Sequence, residues 1–306
     1  MAIVSVQNIK KSYGSVQALR GLTFDVNEGE IYGIIGPDGA GKTSLFRILT
    51  TLLLANEGKA KVDGLDVVKN YKQIRKQIGY MPGRFSLYPD LSVEENLTFF
   101  ATIFNTTIQE NYHLVEDIYK QIEPFKTRKA GKLSGGMKQK LALSCALIHA
   151  PRVLFLDEPT TGVDPVSRKE FWDMLKKLKK HGITILVSTP YMDEAVLCDR
   201  IALILDGEFM QVDTPQNIIN GYSETIWSVK TDRMHQLLTD LRQCKEINSV
   251  FSFGETFHIT VNIKEMATEC LAAFLDNKGH QQIEITPIHA TIEDCFMLLT
   301  GQKNGK

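Results

Sequence analysis

Gly36-Pro37-Asp38-Gly39-Ala40-Gly41-Lys42-Thr43 decides the fold of this chain. The stretch fits G-x-x-x-x-G-K-[ST], a loop that wraps a polyphosphate. Its flanks matter as much. Ile31-Tyr32-Gly33-Ile34-Ile35 is a short apolar run that predicts a buried strand. Ser44-Leu45-Phe46-Arg47-Ile48-Leu49 predicts the first turns of a helix, with the pattern running to about Leu54. Glycines let the backbone close on a phosphate with its N–H groups turned inward, and the helix N-terminus adds the positive end of its dipole. Gly36, Asp38, Gly39, Ala40, Gly41, Lys42, Thr43 and Ser44 are therefore expected to line a nucleotide site. Lys42 is expected to reach the β- and γ-phosphates, and the Thr43 hydroxyl to ligate Mg2+. The loop alone predicts a nucleoside triphosphate and not the machine that uses it.

Two further stretches narrow the chemistry. Val153-Leu154-Phe155-Leu156-Asp157-Glu158 is four apolar residues followed by two carboxylates. A buried strand delivers both acids to the edge of a sheet. There Asp157 is placed to hold Mg2+, and Glu158 to polarise an attacking water. Leu133-Ser134-Gly135-Gly136-Met137-Lys138-Gln139 precedes a helical run from Lys140 to His149. Ser134 is a natural N-cap, and the glycines Gly135 and Gly136 leave N–H groups bare at a second helix N-terminus. One nucleotide site does not need a second phosphate-binding end.

Together these stretches resemble the ATP-binding subunits of ABC transporters over about residues 1 to 220. Gly36–Thr43 is similar to their Walker A loop, Leu133–Met137 to the signature, Val153–Glu158 to Walker B, and Gly162-Val163-Asp164 to the D-loop. Tyr13 stands where the family stacks an aromatic ring on adenine. The resemblance implies a P-loop NTPase of the α/β class. Its parts are a RecA-like core, an N-terminal antiparallel β subdomain and a helical subdomain at about residues 84–146. It also implies a head-to-tail dimer, homomeric or heteromeric, that sandwiches ATP and Mg2+. Ser134 and Gly136 of one chain would face the γ-phosphate held by the other, with Asp164 nearby. An integral membrane permease subunit is the implied partner. Its contact is expected around Gly83–Leu97, on the cytoplasmic face of the cell membrane. Thr291-Ile292-Glu293-Asp294-Cys295-Phe296 and Tyr191-Met192-Asp193-Glu194-Ala195 resemble the drug-resistance, ABC-2-type export branch.

Two positions depart from the family pattern. Gly83, in Gly79-Tyr80-Met81-Pro82-Gly83-Arg84-Phe85, stands where the family carries the Q-loop glutamine, and Pro190 where it carries the switch histidine. Proline has neither an imidazole nor a backbone N–H. Two expectations follow: hydrolysis at a reduced rate through Lys42 and Glu158, or a degenerate, ATP-gated regulatory subunit beside an active partner. Soluble ABC proteins of translation or DNA repair carry two cassettes or long coiled coils, and this chain shows neither.

The remaining features bound the reading. A chain of 306 residues suggests about two domains. The net charge of -1 points away from nucleic acid. No apolar run approaches the roughly 18 residues of a membrane span, and the first residues do not read as a signal peptide. The five cysteines form no C-x-x-C and read as core thiols in a reducing, cytoplasmic compartment. The stretch Lys176-Lys177-Leu178-Lys179-Lys180 reads as the solvated face of a helix. From about Val93 to Lys126 the pattern is mainly helical. A boundary is expected near Asn220-Gly221, giving domains 1–221 and 222–306. The second domain alternates strand (Thr225–Lys230), helix (Arg233–Gln243), strand (Ile247–Phe253), strand (Thr256–Asn262), helix (Lys264–Lys278) and strand (Ile283–Thr286), with a last helix from Thr291. That β-α-β-β-α-β order predicts a small ferredoxin-like domain without a catalytic motif.

Overall fold

The computed structural model describes residues 2–222, 224–261 and 267–304. The chain forms two compact units, residues 1–215 and 216–306.

In the first unit, β1 (Ala2–Tyr13) and β2 (Val16–Asn27) make a long hairpin that leads into β3 (Ile31–Ile35) and α1 (Lys42–Leu49). Next come β4 (Glu57–Val62), β5 (Leu65–Asp66), α2 (Tyr71–Gln77) and β6 (Ile78–Met81). Three helices follow: α3 (Val93–Ile103), α4 (Tyr112–Ile122) and α5 (Gly135–Leu147). The chain then returns through β7 (Val153–Asp157), α6 (Pro165–Lys180), β8 (Thr184–Thr189), β9 (Arg200–Leu205) and β10 (Glu208–Asp213); α7 (Pro215–Asn220) starts at the last residue of this unit and opens the second.

The strands divide into two sheets. An antiparallel sheet has the order β2-β1-β4-β5, and a six-stranded sheet the order β10-β9-β3-β8-β7-β6. The last five strands of that order run parallel, and β10 pairs antiparallel with β9. Every residue of β3, β7 and β8 is buried, which explains their apolar centres, with Asp157, Ser188 and Thr189 among the buried polar residues at the strand ends. Phe46 on α1 meets Phe155 on β7 edge-on, and the core continues through Val4, Leu22 and Ala60 under the antiparallel sheet. β8 lies between β3 and β7. That position governs the site described below.

The region from Val93 to Lys126 is mainly helical, as expected, but in two helices. It breaks at Phe104–Asn111, where Asn105 adopts φ +54 and the chain turns before α4. Ser92 and Glu95 close a capping box that starts α3. The fully buried Asn96 side chain ties Tyr88, Leu91 and Ser92 to that helix. Helix α1 also stops earlier than expected, at Leu49. Thr50 turns its hydroxyl back to the Phe46 carbonyl, and Thr51 takes φ +66.

The second unit runs β11 (Thr225–Lys230), α8 (Met234–Leu241), β12 (Ile247–Phe253), β13 (Thr256–Val261), α9 (Thr268–Asn277), β14 (Glu284–Ile288) and α10 (Ile292–Asn304). Its sheet is antiparallel throughout, in the order β12-β13-β11-β14. Trp227, Val229, Phe257 and Ile259 on one sheet face pack against Leu237, Leu241, Leu271 and Leu275 of the helices. The expected strand end at Asn262 and helix start at Lys264 lie outside the described residues. One expectation on the cysteines is corrected. Cys145, Cys198, Cys244 and Cys295 are buried, but Cys270, on the outer side of α9, is exposed. Among the described residues no helix is long and apolar enough to cross a membrane.

Candidate nucleotide site

The loop between β3 and α1 is held from three directions. Its first amide, Gly36 N, donates to Thr189 O at the end of β8, 3.2 Å away. Ala40 O accepts from Gly207 N at 3.1 Å, which fastens the loop to the β9–β10 turn. Gly41 adopts φ +103, and a Cβ there would lie 2.4 Å from the Ala18 carbonyl on β2. A Cβ on Gly36 would lie 2.1 Å from the Ile204 carbonyl. Both glycines are therefore demanded by backbone packed directly behind the loop, not by flexibility.

Inside this cradle Lys42 is only 3% exposed, and its ammonium ion is fully engaged. Nζ donates to Gly36 O at 2.8 Å and to Pro37 O at 3.0 Å, and it pairs with Glu158 Oε1 at 3.0 Å. Thr43 Oγ1 donates to Asp157 Oδ1 at 3.2 Å. Asp157 is 2% exposed and also accepts from Ser188 Oγ at 2.6 Å. Ser188 Oγ in turn accepts from Glu158 N at 3.0 Å. Glu158 has φ +51, the left-handed region, which turns its side chain out of the strand and toward the loop. The structure thus brings Lys42, Thr43, Asp157 and Glu158 together from two elements 114 residues apart in the case of Thr43 and Asp157. The oxygen-only donor pair of Thr43 and Asp157 suits a hard cation such as Mg2+. Among the described residues no group of three His, Cys, Asp or Glu is arranged to cage a metal.

Other expected residues sit elsewhere on the unit. Tyr13, at the end of β1, is 47% exposed, and its hydroxyl lies 3.3 Å from Ser44 Oγ at the start of α1. Asp38 and Gly39 lie on the exposed side of the loop. Ser134 caps α5 by accepting from Met137 N at 3.3 Å. Gly135 and Gly136 border residues 162–167: a Cβ on Gly136 would lie 2.9 Å from Ser167 Oγ. Asp164 caps α6 by accepting from Ser167 N at 3.0 Å. The signature stretch is therefore placed beside the Gly162–Ser167 segment of its own chain.

Gly83 and Pro190 border the same site. A Cβ on Gly83 would lie 3.0 Å from the Asp157 carbonyl. Pro190 directly follows Thr189. The polar residues that organise this corner, Ser188, Thr189, Thr160, Arg168 and Glu194, were not expected from the sequence. Their traces there are the hydroxyl pair Ser188-Thr189 ending an apolar strand, and Glu194 within the Tyr191–Ala195 stretch, quoted for its resemblance and given no role in the site.

Comparison with known proteins agrees with this geometry. Residues 19–161 match the family model described as "ABC transporter". The chain is 41% identical over 306 residues to the probable multidrug ABC transporter ATP-binding protein YbhF of Escherichia coli (strain K12). That match covers 98% of this chain and 52% of YbhF, so the chain spans about half the length of that relative. It is 34% identical over 310 residues to the Nod factor export ATP-binding protein I of Burkholderia orbicola (strain AU 1054), covering 99% of this chain and 98% of that protein. Among solved structures, the dimeric post-hydrolysis ATP-binding cassette MJ0796 bound to ADP and Pi aligns with a TM-score of 0.63 and 28% identity, over 69% of this chain and 98% of that one. A phosphate loop, two strand-end carboxylates and full-length relatives all agree, and the chain belongs to the family of ABC transporter ATP-binding proteins.

Proposed function

We propose that this chain binds MgATP and hydrolyses it, driving export through a separate membrane-spanning subunit. The observation that carries the reading is the convergence of Lys42, Thr43, Asp157 and Glu158 at the mouth of one loop. The loop amides and Lys42 hold the β- and γ-phosphates. Thr43 and Asp157 hold Mg2+, which neutralises phosphate charge when bound. The Lys42–Glu158 pair gives binding a chemical consequence. An arriving triphosphate competes for the Lys42 ammonium and frees the Glu158 carboxylate. Glu158 then orients the attacking water and takes its proton on a carboxylate oxygen. None of these roles needs an imidazole at position 190, because charge neutralisation is spread over several groups.

The finer parts of the reading rest on other features. Two phosphate-binding helix ends in one chain, at α1 and at Ser134 of α5, support a head-to-tail dimer in which each signature stretch completes its partner's site. Tyr13 is offered to the adenine ring. For the permease, the support is a groove of about 250 Å³ whose lining includes Arg75, Tyr80, Pro82, Leu87, Phe100 and Phe104. Phe85, Tyr88, Phe99 and Ile103 are exposed nearby. A short apolar helix of a membrane partner on the cytoplasmic face fits this surface. The strand order of residues 222–306 supports a ferredoxin-like accessory domain.

Steady-state phosphate release by the purified chain, with Mg2+ and with a chelator, tests the central claim. Turnover that requires Mg2+ is expected. A chain that binds ATP and never releases phosphate, alone or with its membrane partner, would sink it.

A further inference from the structure

Glu194 is 2% exposed, yet its carboxylate is the meeting point of three segments. Oε1 accepts from Thr160 Oγ1 at 2.8 Å and from Arg168 Nε at 3.1 Å, while Oε2 accepts from Thr189 Oγ1 at 2.6 Å. Arg168 is itself held: its terminal nitrogen pairs with Asp193 at 3.2 Å, and its guanidinium lies 4.2 Å over the Tyr191 ring. Thr189 Oγ1 also accepts from Tyr191 N at 3.1 Å, which pins the chain on either side of Pro190.

Each segment ends at the site. Thr160 lies two residues after Glu158, in the loop that runs to Asp164. Thr189 ends β8, next to the Ser188 that bonds both Asp157 and the Glu158 amide. Arg168 closes the first turn of α6, whose Ser167 borders Gly136 of the signature stretch. A buried ion pair gives little net stability over apolar residues of the same volume, because both charges must leave water. What a fully bonded pair supplies is fixed geometry.

The geometry points to Glu194, with Arg168, as the positioning pair that keeps the Glu158–Asp164 loop in register with the end of β8. Gly83 and Pro190 offer no polar side chain to do so. Neither residue touches nucleotide on this account. They act through Thr160 and Thr189 on where the Glu158 carboxylate points. The inference rests on the hydrolysis reading above.

The test uses the full chain and two variants, Glu194→Gln and Thr160→Val, with kcat and KM for MgATP measured separately. A displacement of about 1 Å at a reacting group can lower a rate by roughly a hundredfold. Glu194→Gln is therefore expected to lower kcat at least about tenfold with KM within about twofold. Thr160→Val removes one donor and keeps the ion pair, so it serves even if the first variant does not fold. Its expected loss is about threefold in kcat, again without a change in KM. Wild-type kcat in folded Thr160→Val, or KM rising as kcat falls in either variant, overturns the inference. Absence of turnover in the unaltered chain, both alone and with its membrane partner, overturns the hydrolysis reading itself.

Discussion

Exchanging Glu158 for glutamine keeps the shape of the side chain and removes its charge, so three observables should move in stated directions. In the structure Glu158 Oε1 lies 3.0 Å from Lys42 Nζ, with the side chains 23% and 3% exposed respectively. A hydrogen bond to a charged group contributes about 1.5–3 kcal/mol. Glutamine's side-chain oxygen can still accept from Lys42 but carries no charge, so the unliganded protein should become less stable by at most about that amount. For a unit of this size the fall in melting temperature is then at most about 12 °C. The same contact opposes ATP, which must displace it, so the variant should bind ATP as tightly or up to about tenfold more tightly. Hydrolysis loses its proton acceptor, a loss of about a hundred- to ten-thousand-fold. The barrier rises correspondingly by about 3–5 kcal/mol. Phosphate release, nucleotide titration and a thermal melt without nucleotide read the three. Turnover within about threefold of wild type would remove Glu158 from the chemistry. Weaker ATP binding would refute the competition for Lys42.

Gly41→Ala meets two obstacles, a left-handed φ of +103 and a carbonyl 2.4 Å from the new Cβ. ATP affinity should fall at least about tenfold in a nucleotide titration, since the loop must move to relieve a strain of about 1–3 kcal/mol. Gly83→Gln should lower kcat and not restore a missing contact, because its Cβ would press on the Asp157 carbonyl at 3.0 Å and shift both carboxylates. Phosphate release checks this against wild type. Thiol labelling of the native chain at pH 8 should modify Cys270 alone, and all five cysteines after denaturation. Burial pushes the Cys145 and Cys198 thiols far up, and those of Cys244 and Cys295 up to about 11. Below that pH they are neutral and unreactive, and their labelling should increase only as pH rises toward it. Mass spectrometry counts the modified sites.

The parts of this protein that local rules govern were legible in its sequence. A glycine-rich loop between an apolar run and a helix start, four apolar residues ending in two acids, and a serine before paired glycines each carry their geometry within a few residues. The successive elements of the second unit were also readable, because alternation and turn residues are local signals. Less legible were the ends of elements, where single side chains decide: Thr50 and Thr51 stop α1, and Asn105 interrupts the helical region. The placement of β8 between β3 and β7 was not readable at all, since strand order depends on crossovers that leave no local mark. That placement brings Ser188 to Asp157, Thr189 to Gly36, and the Glu194 carboxylate to three segments at once. The sequence by itself determined that a phosphate-loop motif is present and named the side chains, Lys42, Thr43, Asp157 and Glu158, that converge beside it. The tertiary structure alone decided what holds those side chains in place, because a buried polar network is a property of neighbours in space, 31 residues apart for Asp157 and Ser188 and 34 for Thr160 and Glu194.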